Sequence, residues 1–134
     1  MKYWLLKTEP DDYSFEELQA EGTAVWDGVK NNQALMFLRE IEKGDEGFIY
    51  HTGKQKAIVG TFTVKRSSYP DPEKDDEKLV VIDIKAKQSL AKPISLKAIK
   101  EDDAFSEFLL VRNSRLSVMP VPLPLWKKLQ SMGT

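Results

Sequence analysis

GFIYHTGKQKAIVGTFTVKR, residues 47–66, contains two runs rich in β-branched and aromatic residues, GFIYH and AIVGTFTVKR. Residues of these types favour β-strands. A similar run, KLVVIDIKAK, residues 78–87, follows a polar segment, SSYPDPEKDDEK, which carries two prolines and a charge run and is typical of a solvated loop. The middle of the chain therefore predicts consecutive strands.

Helices and two further strands are predicted on both sides of these runs. Ser14 and Glu17 form a capping box, and Gly22 is placed to end the helix that follows. The apolar spacing from Asn31 to Ile41 predicts a second helix. The remaining predicted elements are a first strand in KYWLLKT (2–8), short helices at Ser95–Lys100 and in DAFSEFLL (103–110), a last strand in RLSVMPV (115–121) and a closing helix at Leu125–Met132.

Strands mixed with short helices predict an α/β (α+β) fold with a curved sheet or small barrel and helices packed outside it. At 134 residues the chain has the length of a single domain, residues 1–134. No apolar run approaches the roughly 18 residues of a membrane helix, no signal peptide is evident, and there is no cysteine. We therefore expect an intracellular, cytoplasmic protein without disulfides.

The charge balance excludes a strongly basic nucleic-acid binder. There are 20 Lys and Arg against 21 Asp and Glu, which gives a formal charge of -1. Any nucleic-acid contact must therefore be local. Basic residues that could form a local rim are Lys7, Lys30, His51, Lys54, Lys56, Lys65, Arg66, Arg112 and Arg115, and scattered solvated charge is the alternative.

Several classes of catalytic site are missing from the sequence. His51 is the only histidine, so no two-histidine metal site can form, and there is no P-loop, nucleophile elbow or dinucleotide fingerprint. We assign the acidic group Glu9, Asp11 and Asp12 to the helix dipole and to solubility rather than to Mg²⁺. We expect no cofactor and no metal.

Five separated segments carry a resemblance to a known family. They are YWLLKTEP, VWDGVKNNQA, YHTGKQKAIVGTFTV, SYPDP and VRNSRLSVMPV. With these segments in this order, the chain resembles the EVE domain family, PUA-like proteins related to the YTH domains, over nearly its whole length. The resemblance implies a PUA-like mixed β-barrel flanked by short helices. It also implies a pocket that reads a flipped, modified base in DNA or RNA.

The resemblance also implies which residues form this pocket. Trp26 corresponds to an aromatic wall of the base cage, and Tyr69 to Pro72 would form a loop over the mouth. Lys30 and Asn32 stand where the family usually has arginine and tyrosine. The residues implied to bind the base are Trp26, Lys7, Thr8, Gly28, Val29, Asn31, His51, Thr52, Tyr69, Ser114, Leu116 and Ser117. Those implied to bind phosphate groups are Lys30, Arg112 and Arg115.

The residue types support the same hypothesis. A planar base needs an aromatic face, worth about 1–3 kcal/mol per base, and amide or hydroxyl groups for its edge. Trp26, Asn31, Thr8 and Ser117 are of these types. Asn31 could instead cap the following helix, and Arg112 and Arg115 could be surface ion-pair partners. We assign Trp4 and Trp126 to the core.

Three functions remain open from the sequence. The first is a non-catalytic module that binds nucleic acid containing modified bases. We expect it to act with a nuclease or another nucleic-acid enzyme and not to associate with a membrane. In that case Trp26→Ala should abolish binding and leave the fold intact. The second is a hydrolase or nuclease that uses His51 with Glu9 or Asp71. The third is an adaptor that binds a peptide or a small metabolite.

Overall fold

The computed structural model describes residues 1–134 as a mixed α+β fold built on one six-stranded sheet. Five α-helices and one 3-10 turn accompany the six strands, and the buried apolar side chains form a single hydrophobic core. In chain order the elements are β1 (Tyr3–Thr8), α1 (Phe15–Glu21), β2 (Thr23–Trp26), α2 (Asn32–Glu40), β3 (Glu46–His51), β4 (Ala57–Pro70), β5 (Val80–Ser95), α3 (Leu96–Lys100), a 3-10 turn (Asp103–Phe105), α4 (Leu109–Arg112), β6 (Val118–Pro120) and α5 (Leu123–Met132).

The strands follow the order β2-β5-β4-β3-β1-β6. β3, β4 and β5 form an antiparallel meander, while β1 pairs with β3 in parallel and with β6 in the antiparallel sense. A parallel pair needs a long crossover connection. Here residues 9–45 supply it, and they carry α1, β2 and α2.

Helix α2 packs against β4, β5 and β6. It therefore bridges the edge strand β6 and the strands β5 and β4 from the other half of the sheet. Asn31 caps this helix, because its Oδ1 accepts a hydrogen bond from the Ala34 N–H at 2.9 Å. Ala34, Leu35 and Leu38 are its buried residues. The apolar stripe predicted from the sequence therefore faces the sheet.

The predicted capping box of α1 is present. The Glu17 N–H donates to Ser14 Oγ at 3.1 Å, and the Ser14 N–H donates to a Glu17 carboxylate oxygen at 3.2 Å. Gly22 ends the helix with its N–H on the Leu18 carbonyl. Phe15, at the start of α1, lies directly over Gly60, where a Cβ would stand 2.3 Å from Phe15 Cζ.

Trp4 and Trp126 lie in the core, as predicted, with exposed fractions of 2% and 3%. The Trp126 ring stacks on Tyr3 with centroids 4.3 Å apart. The Trp4 indole N–H donates to the buried Asp45 carboxylate at 2.9 Å. No helix combines the length and the apolar character needed to cross a bilayer.

Two sequence predictions of local structure were wrong, and one strand was not predicted. Strand β2 was missed, because TAVW is too short to show an alternating pattern and is held by pairing with β5, far away in sequence. Strand β4 extends through Tyr69 and Pro70 into the expected loop, because both residues pair with β5. DAFSEFLL forms a 3-10 turn followed by α4 rather than a single helix.

Candidate functional site

A cavity of about 560 Å³ lies where the two ends of the strand order approach each other. Trp26 comes from β2 at one edge of the sheet, and Ser117 directly precedes β6 at the other edge, so the sheet curves around the cavity. Small-molecule sites have volumes of about 300–1,000 Å³. The 14 lining residues are Lys7, Thr8, Glu9, Asp12, Tyr13, Glu21, Ala24, Val25, Trp26, Asp27, Gly28, Val29, Lys30 and Ser117.

Trp26 is held between two fixed elements. It is the last residue of β2 and pairs with Ile82 of β5. After it the chain turns at Gly28, whose φ of +79° belongs to the left-handed region that glycine adopts without strain. The ring is 8% exposed and is part of the hydrophobic core as well as the cavity wall.

Tyr13 forms a second aromatic part of the wall. Its ring lies 6.0 Å from that of Trp26, centroid to centroid, at an interplanar angle of 74°. The Thr8 hydroxyl donates to the Tyr13 carbonyl at 2.7 Å and so fixes the segment that carries Tyr13 to the end of β1. Burial raises the pKa of the Tyr13 phenol, and the nearby Glu21 carboxylate raises it further.

Lys7, the next-to-last residue of β1, also lines the cavity. Its Nζ donates to the Ser114 carbonyl at 3.0 Å and lies 5.6 Å from the centroid of the Tyr50 ring. Burial lowers the pKa of Lys7, because the charged ammonium loses hydration there. The contact ties the loop before β6 to β1.

The structure brings seven of the predicted site residues together around the cavity. Strand β1 supplies two of them, the end of β2 and the following turn supply four, and the residue before β6 supplies one. They are Lys7, Thr8, Trp26, Gly28, Val29, Lys30 and Ser117.

His51 does not line the cavity, contrary to the sequence expectation. It is 2% exposed, its Nε2 accepts a hydrogen bond from the Phe15 N–H at 3.0 Å, and its Nδ1 lies 2.8 Å from Gln55 Oε1. Nε2 thus joins β3 to the start of α1, and Nδ1 is engaged by the loop between β3 and β4. Asp71, the other residue of the predicted hydrolase, caps its own turn by accepting from the Glu73 N–H at 2.9 Å.

Five other predicted lining residues also lie outside the cavity wall. Asn31 caps α2, and Leu116 is 1% exposed in the core. Thr52 donates its backbone N–H to the Thr8 carbonyl, and Ser114 is an exposed loop residue that accepts from Lys7 through its carbonyl. Tyr69 belongs to β4 and donates its hydroxyl to Asp83.

The two predicted phosphate-binding arginines lie on the surface outside the cavity lining. Arg112 is at the end of α4 with its Nε 3.9 Å from Glu107 Oε2, and its side chain is 63% exposed. Arg115 is exposed in the loop before β6. This loop also carries Ser117, so both arginines belong to the segment next to the cavity.

Sequence reasoning did not assign half of the wall to the pocket. Most of these residues are acidic, and no three His, Asp or Glu side chains of the structure form a group that could hold a metal ion. The unassigned residues are Glu9, Asp12, Tyr13, Glu21, Ala24, Val25 and Asp27. The density of carboxylates between residues 9 and 21 was the available signal.

Comparison with known proteins identifies relatives of the whole fold. Thymocyte nuclear protein 1 of Mus musculus is 31% identical over an alignment 153 positions long, which covers 89% of this chain and 68% of that protein. A protein of Agrobacterium tumefaciens has a crystal structure that superposes with a TM-score of 0.95 at 36% identity, covering 99% of this chain and 93% of the other.

Another similar structure contains a ligand. Human THYN1, in complex with 5-methylcytosine-containing DNA, superposes with a TM-score of 0.90 at 27% identity, covering 99% of this chain and 98% of that chain. The EVE domain, as a family, matches residues 2–132. With this match over nearly every residue, the chain belongs to the EVE domain family.

Proposed function

We propose that this chain is a non-catalytic module that binds DNA by taking an extruded, modified base into the cavity beside Trp26. The observation that carries the proposal is the position of the Trp26 and Tyr13 rings at a cavity of about 560 Å³. A flipped base is planar and is bound by stacking and by hydrogen bonds to its edge. The wall offers both kinds of group.

The similarity to human THYN1 indicates which modification to test first. That protein is in complex with DNA containing 5-methylcytosine and has the same fold along nearly the entire chain. A methyl group that fills apolar space contributes roughly 1–3 kcal/mol to discrimination. We therefore expect this chain to bind DNA with 5-methylcytosine about 10-fold or more tightly than the same DNA with cytosine.

The structure favours binding over hydrolysis by His51. Its ring is buried and both nitrogens have protein partners, so it is not available to a substrate in the cavity. Base recognition in RNA, a YTH-like mode of reading, a cytoplasmic location and a nuclease or other nucleic-acid enzyme as partner remain proposals that follow from the sequence.

Titration of labelled duplexes at fixed salt tests the proposal. The duplexes carry one central 5-methylcytosine or cytosine, and an RNA of the same sequence with either base forms a second pair. Ala24 lines the cavity on β2, so Ala24→Leu should fill part of it and weaken binding of the methylated DNA at least 10-fold. Ala20→Leu, on the exposed face of α1, is the matched control.

Two results would contradict the proposal. One is equal affinity of the wild type for methylated and unmethylated DNA. The other is unchanged affinity of Ala24→Leu. A preference for methylated RNA over methylated DNA would keep the base pocket and replace DNA by RNA as the ligand.

A further inference from the structure

The cavity that we propose for the base has an acidic wall. Two ammonium groups line it, and that of Lys7 is already hydrogen-bonded to the Ser114 carbonyl. Carboxylates only accept hydrogen bonds when ionised. A phosphate would be repelled here, whereas a neutral group that presents N–H donors would be bound. The four carboxylates of the lining are Glu9, Asp12, Glu21 and Asp27.

Tyr13 adds an unusual feature to this wall. Its hydroxyl is buried and has no hydrogen-bond partner within 3.5 Å, and the nearest acceptor that acts on it is the Glu21 carboxylate, which is close enough to raise its pKa. A buried polar group without a partner costs about 1–3 kcal/mol, and a group at a cavity wall can recover this when a ligand supplies an acceptor. The Tyr13 ring contacts Trp26, and the residue lines the cavity beside Glu21.

The edges of the natural bases differ in how well they match the Glu21 carboxylate and the Tyr13 hydroxyl. Cytosine and adenine carry an amino group that donates, next to a ring nitrogen that accepts, whereas thymine carries a carbonyl oxygen at the position of the cytosine amino group. A carboxylate accepts from the amino group, and a phenol can donate to the neighbouring acceptor. With thymine, the carboxylate and the carbonyl would face each other as two acceptors.

We propose that Glu21 and Tyr13 determine specificity in this cavity, with Glu21 accepting from the exocyclic amino group of the base and Tyr13 donating to the adjacent ring acceptor. The pair selects amino-bearing bases over oxo bases. This inference rests on the proposed function, because it assigns the base edge within the same cavity. It goes further in naming the groups that read the edge and the base class that they reject.

The most direct comparison is 5-methylcytosine against thymine, because both carry the same methyl group. Each base is placed opposite an abasic site in otherwise identical labelled duplexes, so that neither has a pairing partner to give up on extrusion. One good base contact discriminates by about 1–3 kcal/mol. The wild type should therefore bind the 5-methylcytosine duplex about 10- to 100-fold more tightly than the thymine duplex.

Two conservative variants test the two residues. Glu21→Gln can present an amide N–H to the thymine carbonyl, so the preference should fall to within about threefold while binding persists. Tyr13→Phe keeps the ring against Trp26 and removes only the hydroxyl. It should weaken binding of the 5-methylcytosine duplex about 10-fold with no loss of thermal stability. Glu16→Gln, exposed on the same helix and outside the cavity, is the control.

The outcomes separate this inference from the proposed function. If the wild type prefers 5-methylcytosine over both cytosine and thymine but Glu21→Gln and Tyr13→Phe keep those ratios and affinities, the assignment of the pair is overturned and the base-binding cavity stands. If the wild type binds none of the duplexes, both fail. A wild-type preference for thymine would overturn both roles of the pair, because thymine has a carbonyl oxygen in place of the amino group and an N–H in place of the adjacent ring acceptor.

Discussion

The rings of Tyr13 and Trp26 cross at 74° with their centroids 6.0 Å apart, so that one ring presents its edge to the other. Aromatic pairs in this arrangement contribute about 0.5–1.5 kcal/mol beyond the area that they bury. Trp26 is also paired to β5 through its backbone and is 8% exposed, so strand pairing and core packing together place its ring at the cavity wall. This part of the wall is thus built into the fold.

Replacing Trp26 tests how far the fold depends on this ring. The sequence led us to expect an intact fold in Trp26→Ala, but an exposed fraction of 8% places the ring in the core. We now expect Trp26→Ala to lower the free energy of unfolding by about 3–5 kcal/mol, and Trp26→Phe by clearly less. Urea denaturation of both variants measures this. An alanine variant as stable as the wild type would contradict the packing.

Tyr13 predicts a loss of stability at alkaline pH. Its pKa is raised above 10.0, so the phenol stays protonated in the folded state while the unfolded chain ionises above that pH. This contribution to stability is complete below pH 10 and is lost as the pH rises toward the folded pKa. The lowered pKa of Lys7 has the opposite effect on stability. Because the wild type and a Tyr13→Phe variant both contain Lys7, its effect cancels when the two are compared.

The measurement for Tyr13 is the melting temperature of the wild type and of Tyr13→Phe from pH 8 to pH 11. The difference, variant minus wild type, should be constant up to about pH 10 and then increase, because only the wild type loses the Tyr13 contribution. A constant difference over the whole range would show that the phenol ionises equally in both states.

Lys30 predicts a specific effect of salt on DNA binding. It is an exposed residue of the cavity lining, and the proposed function predicts that it contacts a phosphate next to the extruded base. Lys30→Ala should weaken binding to all sequences alike and lower the slope of log K against log salt by about 1. Lys127→Ala, exposed on α5 and outside the cavity lining, should leave the slope unchanged. Equal slopes for wild type and Lys30→Ala would exclude this contact.

His51 predicts a loss of stability rather than a loss of chemistry. His51→Ala leaves the buried Phe15 N–H without its acceptor, which costs about 1–3 kcal/mol. Gln55→Ala removes only the exposed partner of the ring and should change the free energy of unfolding by less than about 0.5 kcal/mol. Chemical denaturation measures both. A turnover of nucleic acid that depends on His51 would restore the hydrolase alternative.

Gly60 predicts a clash that a second substitution relieves. A Cβ at this position would stand 2.3 Å from Phe15 Cζ, and Phe15 is 2% exposed. Gly60→Ala should therefore destabilise the protein by about 1–3 kcal/mol. In a double-mutant cycle, Phe15→Leu should be less costly in the Gly60→Ala background than in the wild type. Additive effects of the two substitutions would contradict direct contact.

Local patterns predicted the elements whose ends and faces are determined by nearby residues. The capping box at Ser14 and Glu17 depends on a spacing of three residues, and the core positions of Trp4 and Trp126 depend on strand and helix periodicity. The same patterns predicted the mixed fold with helices around a curved sheet, and the family resemblance added the candidate pocket residues. The capping box and the two core positions could be predicted because contacts between residues close in sequence determine them.

Features that depend on long-range pairing were not predictable in the same way. Strand β2 exists through its ladder with β5, and the continuation of β4 through Tyr69 depends on Val81 opposite it. For the same reason Tyr69 lies on the sheet instead of over the cavity. Tyr13 was missed in the pocket because its contact with Trp26 spans a helix and a turn that no periodicity describes.

The parallel pairing of β1 with β3 separates two kinds of information along the chain. All but three of the 14 cavity residues lie within the crossover of residues 9–45, whereas the meander of β3, β4 and β5 supplies none of them. Most of the cavity wall and most of the sheet are thus formed by different segments, the crossover and the meander. Substitutions that retune recognition can accumulate in the crossover while the hydrogen-bonded scaffold stays under its own selection.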